Sequence, residues 1–166
     1  SGKVRYQHGG SESAYPLLAF SVSDGTTSSS AVTVAVARTP VNDAPTLAGL
    51  DGDVLTYPPA SAAMLIDVGS NATVTDPDST YFAAGVLRAS IYFNGNASKD
   101  VLSIKNVGTA AGQIGVSGAD VSYAGTVIGT VAGGSSGADL VVTLNASADK
   151  AATEALVHAL QFYNSE

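Results

Sequence analysis

The sequence predicts an all-β protein, a two-sheet sandwich with one short helix near its C-terminus. Hydrophobic residues make up 45% of the chain and charged residues 13%, so the chain can bury a core and disorder is not expected. Short stretches alternate apolar and polar residues, which is typical of half-buried strands. Turn pairs such as Asp24-Gly25 and Asn94-Gly95 separate these stretches. Many short strands divided by turns favour a sandwich.

The first forty residues are predicted to form strands at Lys3–Gln7, Leu17–Ser23 and Ala31–Arg38. Alternation places Val32, Val34 and Val36 on one face of the third strand. The Asp24-Gly25 pair predicts a hairpin between the second and third strands. One apolar face of this hairpin is therefore expected to need a cover.

Residues 40–46 are predicted to join two modules. The segment Thr39–Thr46 reads TPVNDAPT, in which two prolines fix φ and the Asn-Asp pair favours a turn. We therefore assign residues 1–39 to the C-terminal strands of a preceding module and residues 47–166 to a second module. The second module is expected to be incomplete at its C-terminal end, because its last predicted strand, Gln161–Asn164, has no hairpin partner after it.

The second module is predicted to contain further strands at Val54–Tyr57, Met64–Asp67, Leu87–Phe93, Val101–Ile104, Gln113–Val116, Val121–Tyr123, Thr126–Thr130 and Leu140–Leu144. One helix interrupts them at Ala148–Leu160, where Ala152 and Leu156 recur at helical spacing. Ser147 or Asp149 is suited to cap its N-terminus. We interpret it as a short crossover helix that closes one end of the sandwich.

Motifs at both ends of the predicted joint resemble a known repeat family. Residues 2–25 contain G-x-V-x-Y-x-H from Gly2, then G-S-E ending at Glu12, then F-x-V-x-D-G from Phe20. This order resembles the later half of a chondroitin-sulfate-proteoglycan-type, cadherin-like repeat. The segment Val41–Pro45, VNDAP, is similar to the joint between cadherin-like modules.

The second module carries further motifs of the same kind. Thr75–Ser79, TDPDS, resembles the D-x-D segment of the following cadherin-like module. Residues 74–164 also resemble a repeat of giant bacterial adhesins and calcium-dependent exoproteins. The matching pieces are LSI at Leu102–Ile104, YAGTVIG at Tyr123–Gly129 and ALVHALQFYN at Ala155–Asn164. Together these resemblances cover most of the chain.

The resemblance implies a cadherin/immunoglobulin-like sandwich, repeated in tandem in a bacterial protein that is secreted or lies on the cell surface. It also implies calcium shared at the junction between modules. The matching residues are Asn42, Asp43, Asp76 and Asp78, with Glu12 and Asp24 as contributors from the preceding module. Oxygen ligands suit this hard cation. The alternative is that these side chains cap turns, a role that Asp and Asn favour.

Composition disfavours several function classes. The net charge is -7 and the seven Lys and Arg residues are scattered, which argues against nucleic-acid binding. The chain has no Cys, so disulfides and thiolate metal sites are excluded. No apolar run approaches the roughly 20 residues needed to span a bilayer, so no membrane span is expected.

No enzymatic activity is predicted. The two histidines are His8, which belongs to the repeat motif, and His158, which is expected to pack at the edge of the helix. The sequence lacks a nucleophile elbow, a zinc-protease motif and a P-loop. Two acids in one loop, such as Asp51 and Asp53, could mimic a glycosidase pair, but a turn or calcium role is favoured.

The alternative function is a carbohydrate-binding module of an exported polysaccharide-degrading protein. Such sites combine aromatic rings with a few polar groups. The candidate rings are Tyr57, Tyr81, Tyr92 and Tyr123, although most lie at strand positions where packing competes as an explanation. Potential glycan acceptors begin at Asn71, Asn96 and Asn145.

The favoured function is a structural or adhesive repeat segment that assembles head to tail by strand complementation. Unpaired strand edges recruit strands from other chains. The hairpin with the row Val32, Val34 and Val36 is the predicted donor, and the chain near Phe162 and Tyr163 is the predicted acceptor. The expected partners are neighbouring repeats or other copies of the same chain, with polysaccharide as a further candidate.

Overall fold

A computed structural model describes residues 16–37, 39, 41–58 and 61–165. The chain divides into two compact units, Ser1–Asp43 and Ala44–Glu166. This division falls inside the segment predicted as a joint. The predicted strand Lys3–Gln7 and the candidate ligand Glu12 lie outside the described residues.

The described part of the first unit is a β-hairpin made of β1 (Leu17–Phe20) and β2 (Val32–Ala35). The two strands are antiparallel, with Leu18 opposite Val34 and Phe20 opposite Val32. Because side chains alternate along a strand, these four apolar residues share one face of the hairpin. We call this surface the hairpin face, and it confirms the predicted alternation.

The second unit contains β3 (Thr46–Ala48), β4 (Met64–Leu65), β5 (Thr73–Thr75), β6 (Val86–Ala89), β7 (Asp100–Ile104), β8 (Ile114–Ser117), β9 (Asp120–Tyr123), β10 (Thr126–Gly133), β11 (Leu140–Leu144), α1 (Lys150–His158) and β12 (Leu160–Asn164). The strands form a five-stranded sheet in the order β6-β11-β10-β9-β8, a three-stranded sheet in the order β4-β12-β7, and a two-stranded ribbon of β3 and β5. All these pairings are antiparallel. The prediction of an all-β, sandwich-like fold with one short helix near the C-terminus is confirmed.

The last strand, β12, lies in the middle of the three-stranded sheet. Phe162 is opposite Met64 of β4 on one side and opposite Leu102 of β7 on the other. The predicted open receiving edge is therefore wrong at Phe162, where both edges are paired, whereas Tyr163 is paired with β7 alone. The hairpin partner expected after this strand is replaced by two partners that precede it in the sequence.

The helix α1 connects the two larger sheets. Asp149 caps its N-terminus, because its side chain accepts a hydrogen bond from the N–H of Ala152 at 2.7 Å. The helix leaves β11 of the five-stranded sheet and leads into β12 of the three-stranded sheet, so it is a crossover helix as predicted. Ala152 and Leu156 are fully buried, which explains the apolar spacing in the sequence.

The hydrophobic core draws side chains from both larger sheets and from the helix. Its buried members are Leu102, Ile104, Ile114, Val121, Ile128, Leu140, Val142, Leu144, Ala148, Ala152, Leu156, Ala159 and Leu160. The two sheets are also joined by a backbone hydrogen bond from the N–H of Leu102 in β7 to the carbonyl of Gly134, which directly follows β10, at 2.7 Å. Apolar burial and this link hold the second unit together.

Two parts of the second unit differ from the sequence prediction. Val54–Tyr57 is not a strand: the ring of Tyr57 packs edge-to-face on Phe162 with centroids 5.1 Å apart, and its hydroxyl donates to the carbonyl of Ser61. The ribbon β3–β5 was not predicted, because both strands are only three residues long. No helix formed by the described residues is long and apolar enough to cross a membrane.

Candidate functional site

The predicted calcium ligands of the second unit, Asp76 and Asp78, lie in a tight turn after β5. Oδ1 of Asp76 accepts hydrogen bonds from the N–H groups of Asp78 at 3.1 Å and Ser79 at 2.6 Å. Burial alone would raise the pKa of Asp76, but these hydrogen bonds outweigh it and hold the pKa below 3.8. Lys150 also donates to the carbonyl of Asp76. The Asp76 carboxylate therefore caps a turn.

Asp24 of the first unit has the same role. Its Oδ1 accepts from the N–H groups of Thr26 and Thr27, both at 2.9 Å, in the predicted hairpin turn. The hydrogen bonds from Thr27 and Thr26 lower the pKa of Asp24. The side-chain amide of Asn42 donates to the backbone carbonyl of Asp43 at 2.9 Å. These contacts match the turn-capping alternative that the sequence left open.

Neither unit, taken by itself, assembles a calcium site from its described residues. They contain no group of three or more His, Cys, Asp or Glu side chains that could hold a metal ion. Turn amides already occupy an oxygen of both Asp24 and Asp76. Within either unit the predicted ligands therefore do not form a preorganised cage, and calcium binding stays a prediction.

We expect EDTA to change the melting temperature of the chain by less than about 2 °C, because apolar burial and turn hydrogen bonds stabilise the fold without a cation. Thermal unfolding followed by circular dichroism, in calcium and in EDTA, measures this. A midpoint that falls by more than about 5 °C in EDTA and returns when calcium is restored would contradict the expectation.

Asp67 is the most buried carboxylate in the described chain and was not singled out from the sequence. Its side chain is 0% exposed. It accepts from the N–H groups of Asn71 and Ala72, both at 3.2 Å, and forms a short contact with Nδ1 of His158. The side-chain amide of Asn71 lies next to Asp67 and the carbonyl of Gly49, and with its nitrogen turned toward them it donates to both. Asp67 thus joins the loop after β4 to the end of α1.

The lowered pKa of Asp67 agrees with this structural role. Burial alone would raise the pKa of Asp67, but the hydrogen bonds from His158, Ala72 and Asn71 outweigh it and lower the pKa below 3.8. Among the described residues, only Asp67 is hydrogen-bonded to the imidazole of His158. The pair therefore lacks the hydroxyl nucleophile that a catalytic dyad would activate. His158 does lie at the helix edge, as predicted, and there it binds the buried acid.

The hairpin face is open to solvent. Val32 and Val34 are 65% and 52% exposed, and Phe20 opposite Val32 is also exposed. A hairpin gains stability when another surface covers its exposed apolar face. The opposite face carries the pairs Ala19 with Thr33 and Leu17 with Ala35, and Leu17 is also exposed.

An apolar groove of about 350 Å³ lies in the second unit between the ribbon β3–β5 and strand β6. We call it the edge groove. Its apolar lining comprises Leu47, Val74, Phe82, Val86, Leu87, Leu144 and Val157. Within the described residues, β3 and β6 are each paired on one side only. The second edge of β5 is covered, because the N–H of Val74 donates to Glu154 of α1 at 3.1 Å.

A cleft of about 220 Å³ lies between the loop after β6 and the loop between β10 and β11. We call it the aromatic cleft, because Tyr92 and Phe93 stand at its wall and are 97% and 78% exposed. Asn96, Asp100 and Asp139 supply its polar lining. The sequence placed this aromatic pair inside a strand, but β6 ends at Ala89.

The other candidate tyrosines lie away from the aromatic cleft, and two of them, Tyr81 and Tyr123, line one separate pocket of about 420 Å³. Tyr57 packs on Phe162, and Tyr123 is half-buried against the core. Tyr81 is exposed and lines a different pocket from Tyr92.

Comparison of the chain with protein-family models, with curated proteins and with solved structures finds no match. The hairpin face, the edge groove and the aromatic cleft are therefore the surfaces that bear on function.

Proposed function

We propose that this chain is a non-enzymatic structural or adhesive segment of an extracellular bacterial surface or matrix protein, and that its copies join head to tail by strand complementation. One observation carries the proposal: a single chain has both an exposed apolar hairpin face and an apolar groove bordered by strands with unpaired edges. The partners are other copies of the chain or neighbouring repeats.

The donor is the hairpin face. Its cross-strand pairs, Leu18 with Val34 and Phe20 with Val32, make a continuous apolar surface with a fixed register. Each such side chain gains about 1.5–3 kcal/mol when it moves from full exposure to full burial. Among the described residues, β1 and β2 pair only with each other, so their outer edges have backbone groups with which another strand can pair.

The acceptor is the edge groove. Leu47 of β3 and Val86 of β6 are both exposed at its borders, while Leu87 and Val157 lie deeper. A strand laid along β6 would extend the five-stranded sheet by main-chain hydrogen bonds and bury its apolar side chains in the groove. This groove replaces the receiving site that the sequence predicted near Phe162.

Head-to-tail contacts between different surfaces produce open filaments when the rotation does not close. The donor and acceptor here are different surfaces, located in different units of the chain. The absence of a hydroxyl partner for His158 among the described residues, and the turn-capping roles of Asp24 and Asp76, support a non-enzymatic role.

The test is self-association of the whole chain. We expect sedimentation velocity to reveal oligomers that grow with protein concentration. The double variant Val32→Asp/Val34→Asp places charges on the donor, and Val86→Asp places one on the acceptor; each variant alone should remain a monomer. An equimolar mixture of the two should form a 1:1 complex that does not extend, because it retains one intact donor and one intact acceptor.

Matched controls carry the same charge on other surfaces. Thr33→Asp lies on the opposite face of β2, and Val127→Asp lies on an exposed position of β10 outside the groove. Both should associate like the wild type. The proposal is contradicted if the wild-type chain stays monomeric at high concentration. It is also contradicted if Val32→Asp/Val34→Asp and Val86→Asp associate as the wild type does.

A further inference from the structure

The loop that carries Tyr92 and Phe93 is compact and is held by hydrogen bonds. The carboxylate of Asp100 accepts from the N–H of Asn96 and from the side-chain amide of Asn164, both at 2.6 Å. A Cβ atom at Gly95 would lie only 2.6 Å from a methyl carbon of Ile91, so the loop folds back tightly on itself. The residues that flank the two aromatic rings, Ile91 and Gly95, are therefore held close together.

Tyr92 and Phe93 are exposed to solvent, so packing against the core does not explain aromatic residues at these two positions. Single exposed apolar residues are common, but two exposed aromatic residues that line one cleft are candidates for a binding surface. Ile91 adds a third apolar side chain to the same cleft wall. These rings supply flat apolar area at low cost in side-chain entropy.

The polar side of the cleft consists of hydrogen-bonding groups with spare capacity. Asp100 and Asp139 are carboxylates, and each oxygen of a carboxylate can accept more than one hydrogen bond. Asp139 is paired with Arg88 at 2.8 Å, so its charge is already partly balanced. Oδ1 of Asn96 accepts from Ser98, while its amide nitrogen forms no hydrogen bond within the described residues.

We infer that the aromatic cleft binds a neutral carbohydrate. A sugar ring offers a C–H face to Tyr92 and Phe93, and hydroxyl groups to the acceptors at Asp100 and Asp139. The cleft lining contains no Lys or Arg, which disfavours an anionic ligand. Its two carboxylates disfavour insertion into an apolar bilayer.

The size of the cleft agrees with a small occupant. Its volume of about 220 Å³ lies below the range of about 300–1,000 Å³ that is typical of drug-sized ligands. One ring of a longer polysaccharide would occupy it while the rest of the polymer extends into solvent. This inference stands independently of self-assembly, because the cleft shares no apolar lining residue with the hairpin face or the edge groove.

The test is affinity electrophoresis of the whole chain through gels that contain dextran, β-glucan, mannan or galactan, with alginate as an anionic polymer. We expect at least one neutral polysaccharide to retard the protein. The double variant Tyr92→Ala/Phe93→Ala should weaken this binding by about tenfold or more, because it removes the apolar half of the site. Its melting temperature should match that of the wild type, since both side chains are exposed.

Tyr81→Ala is the matched control, because it removes another exposed tyrosine from a different pocket. It should leave the retardation unchanged. The inference is overturned if none of the neutral polymers retards the wild type, or if the double variant binds as well as the wild type does. Stronger binding to alginate, or to phosphatidylcholine vesicles, than to every neutral polymer would also overturn it.

Discussion

Replacing Asp67 with alanine is expected to lower the free energy of unfolding of the second unit by about 3 kcal/mol. The substitution leaves the N–H groups of Asn71 and Ala72 without their acceptor, and Ala72 is almost completely buried. It also removes the partner of His158. Urea unfolding followed by circular dichroism measures the loss.

Two further variants make this prediction specific. Asp51→Ala removes an exposed carboxylate from a nearby loop and should change the stability by less than about 0.5 kcal/mol. His158→Ala should cost about 1 kcal/mol, because Asp67 keeps its two backbone donors and the imidazole is partly exposed at 28%. A loss for Asp67→Ala no greater than that for Asp51→Ala would show that the buried carboxylate does not stabilise the fold.

The stabilising effect of Asp67 should depend on pH in a defined direction. Its pKa is lowered below 3.8 by folding, so the unfolded chain binds this proton more readily than the folded one. The contribution of the charged carboxylate is therefore complete above about pH 4 and declines as the pH falls through the folded pKa. The stability difference between wild type and Asp67→Ala should shrink in that acidic range, and a difference that is constant with pH would contradict the assignment.

Gly134→Ala is expected to cost about 3 kcal/mol, the second large effect. Gly134 has a φ of +86°, and an added Cβ atom would lie 2.2 Å from the carbonyl oxygen of Leu102. The backbone would have to move at the point where the N–H of Leu102 bonds the carbonyl of Gly134. The substitution therefore strains the link between the two larger sheets.

The variant Gly112→Ala separates the two causes of the loss expected for Gly134→Ala, which are the positive φ and the close contact with Leu102. Gly112 also has a positive φ, +77°, but an added Cβ atom would meet nothing within 4 Å. Its substitution should cost only about 1 kcal/mol, the conformational penalty alone. Thermal or urea unfolding of both variants gives the comparison. Equal losses at the two positions would show that contact with Leu102 is not what requires glycine at 134.

Strong local patterns in the sequence predicted much of the second unit. The strand Leu140–Leu144 and the helix with its Asp149 cap follow from alternation, from helical spacing and from a capping side chain, all of which act over a few residues. The ribbon β3–β5 was missed because three-residue strands carry little periodicity. Val54–Tyr57 has strand-like composition but pairs with no strand among the residues that the structure describes.

The candidate functional surfaces depend on contacts that local patterns do not encode. Asp67 and His158 lie 91 positions apart, and no spacing rule connects them. Tyr92 and Phe93 continue an apolar run that resembles a strand, and only the end of β6 at Ala89 shows that they face water. The hairpin face was predicted from its alternating valines, but its acceptor was not, because the edge groove is created by strand order.

The central position of β12 has a consequence for how the chain matures. Strands β4 and β7 are not paired with each other or with the five-stranded sheet. Each pairs only with β12, which is synthesised after them. While the polypeptide emerges from the ribosome, the three-stranded sheet cannot begin to form until Leu160–Asn164 has been synthesised. The apolar side chains that β4 and β7 contribute to the second unit therefore stay uncovered until β12 is available.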